Sequence, residues 1–357
     1  MRRIQRLVAL GGLLFSASCG SSSESNSPSD DVASATDLKK KDASSPATEA
    51  TPTPVSDSTG QTDGGQVDAA ASPTKKIETV FVIVMENHSW SSVKDAPYIK
   101  SLLPLGAHAE KYSSPKGNHP SELNYVWMEA GDSLGITNDD PPSKNHQATK
   151  DHLSSQLEAS GISWKAYAED ISGKDCPLAA TNLFAPKHTP QLFFDDVTDT
   201  NSAASTHCKD HIRPYSELAT DLAKNKIARY NFITPNLCHD MHGDLKCGLG
   251  NLNQVKMGDD WLKANVPVIL NSEAFKNKGA LFITWDEGDE PTLGIGEASD
   301  GPVGFIALAA NAKKGHASTV EYTHSSLLRT LEDIYGVPYL RGAKTAKSLD
   351  DLFSAYP

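Results

Sequence analysis

The chain has 357 residues, 38% hydrophobic and 22% charged, and its 33 Lys and Arg face 45 Asp and Glu for a formal charge of −12. No long basic stripe runs along it, which excludes nucleic acid as an expected partner. An acidic protein that handles phosphates needs a metal ion or local His and Lys to offset repulsion.

Arg2, Arg3 and Arg6 precede the apolar run LVALGGLLF, which leads into SASCG. A basic start, a short apolar run and small residues make a signal peptide over residues 1–18, too short to span a membrane. Cys19 stands where a bacterial lipobox places its lipidated cysteine, although Ser16 replaces the usual Leu three residues earlier. The expected product is an exported lipoprotein, anchored through acylated Cys19 on the outer or extracellular side of a membrane. Simple secretion is the alternative. Residues 19–74 are rich in Ser, Thr, Ala, Pro, Asp and Gly with hardly an aromatic, which predicts a disordered tether. Composition shifts at Lys75–Lys76, so residues 75–357 are expected to form one large single-core domain.

Within that domain, apolar runs rich in β-branched or aromatic residues predict strands at 77–85, 163–169, 228–235, 279–285 and 302–310. Helical patterns fall between them at 151–160, 215–225, 257–272 and 324–336. The last sets Leu327, Leu328, Leu331 and Ile334 at helical spacing and closes on Gly336. Strands alternating with helices predict an α/β sandwich around a mostly parallel sheet. The stretches 132–148, 172–214 and 286–301 read as long loops.

The first strand runs apolar from Phe81 to Met85 and then meets Glu86, Asn87 and His88. Ligands of open α/β sheets bind at the carboxyl ends of strands, so chemistry is expected there. GALFITWDEGDE repeats the design: its strand ends at Trp285 and delivers Asp286 and Glu287. Together these side chains supply hard oxygen ligands for a divalent cation. Neighbouring strand residues point to opposite faces, so the acidic pair can share an ion only if the strand breaks, which Gly288 permits. As a single stretch, DEGDE also reads as a solvated acidic loop.

GNHPSELNY (117–125) offers Ser121 as a nucleophile with His119 two residues before it, although such a stretch is also an ordinary turn leading into a helix. PNLCHDMH (235–242) gathers His239, Asp240 and His242, which could contact phosphoryl oxygens or pass a proton. His324 opens the last helix, whose positive end suits an anion. His188, in PKHTP, fits no pattern of its own.

Cys176, Cys208, Cys238 and Cys247 remain once Cys19 is set aside. An even count in an exported protein predicts two disulfides, and of three pairings nearest neighbours, 176–208 and 238–247, are expected. The rival reading of CHDMHGDLKC is a structural zinc site. HCKDH (207–211) also has the spacing of metal ligands, with Cys208 expected to be oxidised.

ENHSW, NHPSELNY, KHTP, PNLCHDMH, GDDWL, TWDEGD and YTHSSLLRTLED, in that order from about Ile77 to Leu340, resemble the bacterial and fungal phosphoesterase family of secreted acid phosphatases and non-specific phospholipases C. The small secreted acid phosphatases, including a type that acts on phosphoinositides, are the most similar in shape. The resemblance implies an alkaline-phosphatase-like α/β fold and phosphoryl transfer through a serine. It implies metal ligation by Glu86, Asn87, Ser121, Asp286 and Glu287. Ser121 would be the nucleophile, and His119, His242 and His324 would also act in catalysis. His188, Asp240 and His239 would bind phosphate, although relatives often carry Asn at the place of His239 and a second Asp at that of Glu287. The cofactor would be a divalent metal ion, and the substrate a small phosphate ester or a phospholipid head group. A phospholipase C is the first alternative, which the short stretch after the last motif helix disfavours. A non-catalytic lipid-anchored binding protein is the second.

Overall fold

A computed structural model describes residues 76–248, 253–289 and 298–356. The signal peptide, Cys19 and the tether lie outside the described residues.

The strands are β1 (Thr79–Met85), β2 (Ala107–Ala109), β3 (Tyr112–Ser113), β4 (Trp164–Ala168), β5 (Ile212–Pro214), β6 (Tyr230–Thr234), β7 (Gly279–Trp285), β8 (Phe305–Ala309), β9 (Ala317–Ser318) and β10 (Tyr322–Thr323). Eight form one sheet in the order β5-β4-β6-β1-β7-β8-β2-β9, and β3 pairs with β10 separately. From β5 to β7 every neighbour is parallel, and β8 then runs antiparallel to both β7 and β2. This is the α/β sandwich with a mostly parallel sheet that the alternation predicts.

Strand β1 lies at the centre because it is apolar on both faces: every residue from Val80 to Met85 is fully buried. It registers Val82 against Phe232 of β6 and Phe282 of β7. The helix Ser121–Ala130 ends on Gly131 at a φ of 73°, the left-handed C-terminal position that glycine takes without strain. Helix His324–Tyr335 closes in the same way on Gly336, as its sequence predicts.

Several boundaries differ from expectation. The helix expected at 257–272 spans Gln254–Leu270, because Asn253 caps it by accepting from Lys256 N and Pro267 is accommodated near its end. The stretch 172–214, expected as loop, contains the helix Thr206–His211 and edge strand β5. Strand β2 is three residues long, too short for its pattern to show in sequence. Both expected disulfides are formed, Cys176–Cys208 and Cys238–Cys247. The second consumes the thiolates that a zinc site at CHDMHGDLKC requires, and that reading falls. No helix among the described residues is long and apolar enough to cross a membrane.

Candidate active site

The segments leaving β6, β1 and β7 are stitched together just past the sheet. Glu86 N donates to Asp240 O at 2.7 Å, and Asp286 N donates to Met85 O at 3.0 Å. Asn87 takes a φ of 41°, a left-handed conformation that Asn tolerates better than most residues, and its N–H donates to Asp286 Oδ1 at 3.0 Å. The strand therefore breaks after Glu86 rather than continuing its alternation. On the other side, Gly288 N donates to Ser299 O at 2.7 Å, and any side chain at 288 would collide with Ser299. Glycine lets the chain double back directly after the acidic pair.

Ser121 enters from the first turn of helix Ser121–Ala130. Its Oγ lies 3.1 Å from Glu86 Oε2, 3.4 Å from Glu287 Oε1 and 3.5 Å from Asn87 Oδ1. One hydroxyl carries one proton, so only one of these oxygens can accept it and the others meet Oγ lone pair to lone pair. Such spacings match ligands that share a small cation bound at about 2.1 Å.

Glu86, Asp240 and Asp286 are 0% exposed, and Glu86 Oε1, Asp240 Oδ2 and Asp286 Oδ2 accept no hydrogen bond. Burial, then the charge of Asp240, pushes Glu86 well above the usual carboxylate range. Burial and the neighbouring carboxylates Glu86 and Glu287 do the same to Asp286, and burial followed by Asp286 raises Asp240. Buried, mutually repelling acids with oxygens that lack a hydrogen bond, beside a hydroxyl flanked by two carboxylate oxygens, are a donor set that fits a hard divalent cation.

The histidines divide into distinct environments. His119 donates from Nδ1 to Glu287 Oε2 at 2.6 Å and from Nε2 to Asp300 Oδ1 at 2.9 Å. With a carboxylate on each nitrogen it is held as an imidazolium, and the hydrogen bond to Glu287 raises its pKa. His188 sits between two acids, Nε2 3.2 Å from Glu86 Oε1 and Nδ1 3.4 Å from Asp240 Oδ2, and its ring stacks on Tyr125. Burial holds it neutral. His242 N donates to Asp240 Oδ1 at 2.7 Å and its Nδ1 donates to Gly243 O at 2.8 Å, which fixes the orientation of the ring.

His324 is fully buried behind the acidic pair. Its Nε2 donates to Asp286 O at 2.6 Å while Nδ1 accepts from the Tyr112 hydroxyl at 3.1 Å, and burial lowers its pKa to about 4. His239 turns aside: its Nδ1 donates to Glu169 Oε2 at 2.7 Å, which directs the ring toward Glu169 and not toward Ser121 or the buried acids.

Four further residues belong to the site. Asn124 Nδ2 donates to Glu287 Oε2 at 3.1 Å, and Tyr125 packs on His188. Asp300 holds His119. Lys187, paired with Asp139 at 2.7 Å, places a positive charge close to Glu86 and Asp286. Asn124, Tyr125 and Lys187 stand inside or beside the NHPSELNY and KHTP motifs, where one-turn helical spacing from Ser121 and adjacency to His188 could have flagged them. Asp300 carries no such signal.

The Phosphoesterase family model matches residues 92–338. The chain is 28% identical over 293 residues to a phosphatidylinositol-3-phosphatase of Mycobacterium tuberculosis, covering 81% of this chain and 87% of that protein. It is 26% identical to a phosphate-repressible acid phosphatase of Penicillium chrysogenum (62% of this chain, 51% of that one) and 26% identical to an acid phosphatase of Aspergillus fumigatus (75% and 58%). The chain thus spans little more than half the length of these two fungal relatives. Among solved structures, a protein of the alkaline phosphatase superfamily from Vibrio parahaemolyticus superposes with a TM-score of 0.51 at 10% identity, covering 80% of this chain and 77% of that one. That similarity establishes the alkaline-phosphatase-like fold.

Proposed function

The chain belongs to the phosphoesterase family and is a phosphoric-ester hydrolase, and from that premise we propose a metal-dependent phosphomonoesterase that works through a phosphoserine at Ser121. The observation that carries this reading is the pair of carboxylate oxygens flanking Ser121 Oγ, set among three acids that each keep a buried oxygen without a hydrogen bond. The phosphatase names of the relatives favour a monoester, either a small molecule or a phosphorylated lipid head group.

Glu86, Asn87, Ser121, Asp286 and Glu287 would hold a divalent cation, which when bound would lower the serine pKa and neutralise phosphoryl charge. Ser121 O–H donates toward Glu86 Oε2 and is placed at a helix start, where backbone N–H groups favour developing negative charge. Oγ attacks phosphorus, the P–O bond to the leaving group breaks, and the serine proton leaves along its hydrogen bond. His119, already protonated, gives its proton to the departing alkoxide. Water then attacks the phosphoserine, neutral His119 takes a proton from it, and inorganic phosphate departs as Oγ regains its own proton. Lys187, His188 and His242 supply charge and hydrogen-bonding groups for the phosphoryl oxygens, with Asp240 orienting both histidines. His324 acts through position, holding the Asp286 carbonyl and hence the acidic pair. His239 is assigned the rim, through Glu169.

Export is part of the same proposal. Two disulfides suit an oxidising compartment, and acylation of Cys19 would tether the catalytic unit, residues 75–357, to a membrane.

The deciding experiment is hydrolysis of p-nitrophenyl phosphate by the full chain with added divalent metal, wild type beside Ser121→Ala. Turnover in the wild type that falls by roughly a thousandfold or more in the variant supports the reading. Equal turnover removes the serine from the chemistry. Activity only on a choline phosphodiester would overturn the monoester assignment.

A further inference from the structure

HCKDH, the motif that the active site leaves unused, lies elsewhere in the fold. Its His207 and His211 stand one turn apart on the helix Thr206–His211, so both imidazoles project from one face. Opposite them is Glu158, near the end of helix Leu153–Ala159. His207 Nε2 approaches Glu158 Oε1 at 2.7 Å and His211 Nε2 approaches the same oxygen at 3.4 Å. Among the described residues, these three offer ligand atoms that all lie within 4.8 Å of one another.

The tautomers make the arrangement unusual. His207 Nδ1 donates to Asp196 O at 3.0 Å and His211 Nδ1 donates to His207 O at 2.9 Å. A backbone carbonyl accepts only from N–H, so each ring carries its proton on Nδ1 and turns Nε2 toward the carboxylate. Two Nε2 atoms therefore face one oxygen. With one proton on each ring, three lone pairs converge on one point, a repulsion that a cation relieves. Backbone carbonyls on the far nitrogens are the arrangement that orients histidines for metal binding.

We infer that Glu158, His207 and His211 form a second cation site, selective for a borderline transition ion such as Zn2+ and separate from the catalytic centre. Ligands bound to Zn2+ at about 2.0–2.2 Å sit roughly 3.4 Å apart in tetrahedral geometry, which these atoms reach by small side-chain rotations. Partial exposure of all three residues leaves a fourth position for water. The surroundings are built to hold the ligands still. Trp164 stacks on His211 with ring centroids 4.5 Å apart and donates from Nε1 to Glu158 Oε1 at 2.7 Å. Cys208, between the two histidines, is locked to Cys176 and cannot compete as a ligand.

The site sits at the opposite end of the sheet from Ser121. Trp164 opens β4, whereas the catalytic acids follow the last residues of the parallel strands β1, β6 and β7. An ion there would clip the helix before β4 to the helix before edge strand β5, residues 49 positions apart in sequence. Its role is to hold the sheet edge, not to turn over substrate.

Calorimetric titration of the chelator-stripped full chain with Zn2+ tests this. Wild type should bind one more Zn2+ per chain than His207→Ala/His211→Ala, and Glu158→Gln should weaken that one site roughly tenfold or more. Activity on p-nitrophenyl phosphate should stay within about twofold of wild type in both, which also reports that they fold. Asp286→Asn, altered in the catalytic cluster, should keep the Glu158 site intact whether or not it retains activity. Equal stoichiometry and affinity in wild type and the active double variant would overturn the proposal and leave an imidazolium–carboxylate pair. Should the double variant be inactive, an unchanged affinity in active Glu158→Gln would overturn it equally.

Discussion

Ser121 Oγ sits 3.1 Å from Glu86 Oε2, the first residue past the central strand meeting the first residue of a helix that begins 35 positions later. The contact places a candidate nucleophile against a carboxylate that burial and Asp240 make reluctant to ionise. The protein thus stores repulsion where a cation would relieve it.

Glu86→Gln should therefore separate stability from activity. Removing one buried acid lessens repulsion among Glu86, Asp240 and Asp286, so the metal-free form should gain about 1–2 kcal/mol. Its thermal midpoint should rise by a few degrees. Turnover with saturating metal should fall about a thousandfold, or roughly 4 kcal/mol. Thermal scans after chelation, beside kcat, check both. A variant that is less stable without metal, or as active with it, contradicts the reading.

His119 is held between Glu287 and Asp300, and its assigned role is to protonate the leaving group. Protonation matters most when the departing oxygen is strongly basic. His119→Ala should lower kcat/KM, which reports phosphoserine formation and not its later hydrolysis, by about 100- to 1,000-fold on an alkyl phosphate and by far less on p-nitrophenyl phosphate, because nitrophenolate leaves without help. Asp300→Ala should give a smaller loss with the same leaving-group bias, about tenfold. Equal losses on both substrates would reassign His119 to binding.

Much of this site is legible in the sequence because it lies where apolar strands stop. Glu86 and Asp286 are conspicuous as buried-strand patterns that end in acids. What sequence does not reveal is the turning of side chains that only folding brings together. His239 and His242 look alike in CHDMH, yet His239 faces Glu169 while His242 is drawn to Asp240. His324 reads as an anion-binding helix start but packs under Asp286 O through its ring. GDDWL, a family motif, serves the architecture. Its Asp259 accepts from Ile99 N at 2.9 Å and so anchors the start of helix Pro97–Leu102, whereas Trp261 donates to Glu169. The fold shows the same division. Long apolar strands declare themselves, but β2 and β5, each three residues, exist only because neighbouring strands of the sheet offer them partners.

The Cys176–Cys208 bond closes a loop of 32 residues that carries Lys187 and His188. Constraining a loop of that length in the unfolded chain is worth about 3–4 kcal/mol. Cys176→Ser/Cys208→Ser should lower the thermal midpoint by about 6–15 °C, as expected for a domain of this size. Near-wild-type kcat well below the midpoint is expected, since neither sulfur touches the site. An unchanged midpoint would show that the loop is held by packing alone.

His152 gives stability a pH dependence that the catalytic acids do not explain. The ring is fully buried, stacked on Phe194, with Nδ1 3.1 Å from Glu129 Oε1 and Nε2 3.0 Å from Asp196 Oδ1. Burial alone would lower its pKa, but hydrogen bonds to Asp196 and Glu129 outweigh burial and raise it to about 9. The unfolded value is about 6.5. A folded pKa above the unfolded one means that the folded protein holds the proton more tightly. The resulting stabilisation is complete below about pH 6.5 and is lost as the pH rises through about 9, with an upper bound of about 3 kcal/mol. His152→Gln removes this contribution at every pH. The difference in unfolding free energy between wild type and His152→Gln should thus be largest at about pH 6 and shrink steadily toward about pH 9.5. Denaturant titrations across that range measure it, and because both proteins share every other titrating group, the difference isolates this ring. A gap that stays constant, or widens with pH, would mean that His152 is neutral in the folded protein.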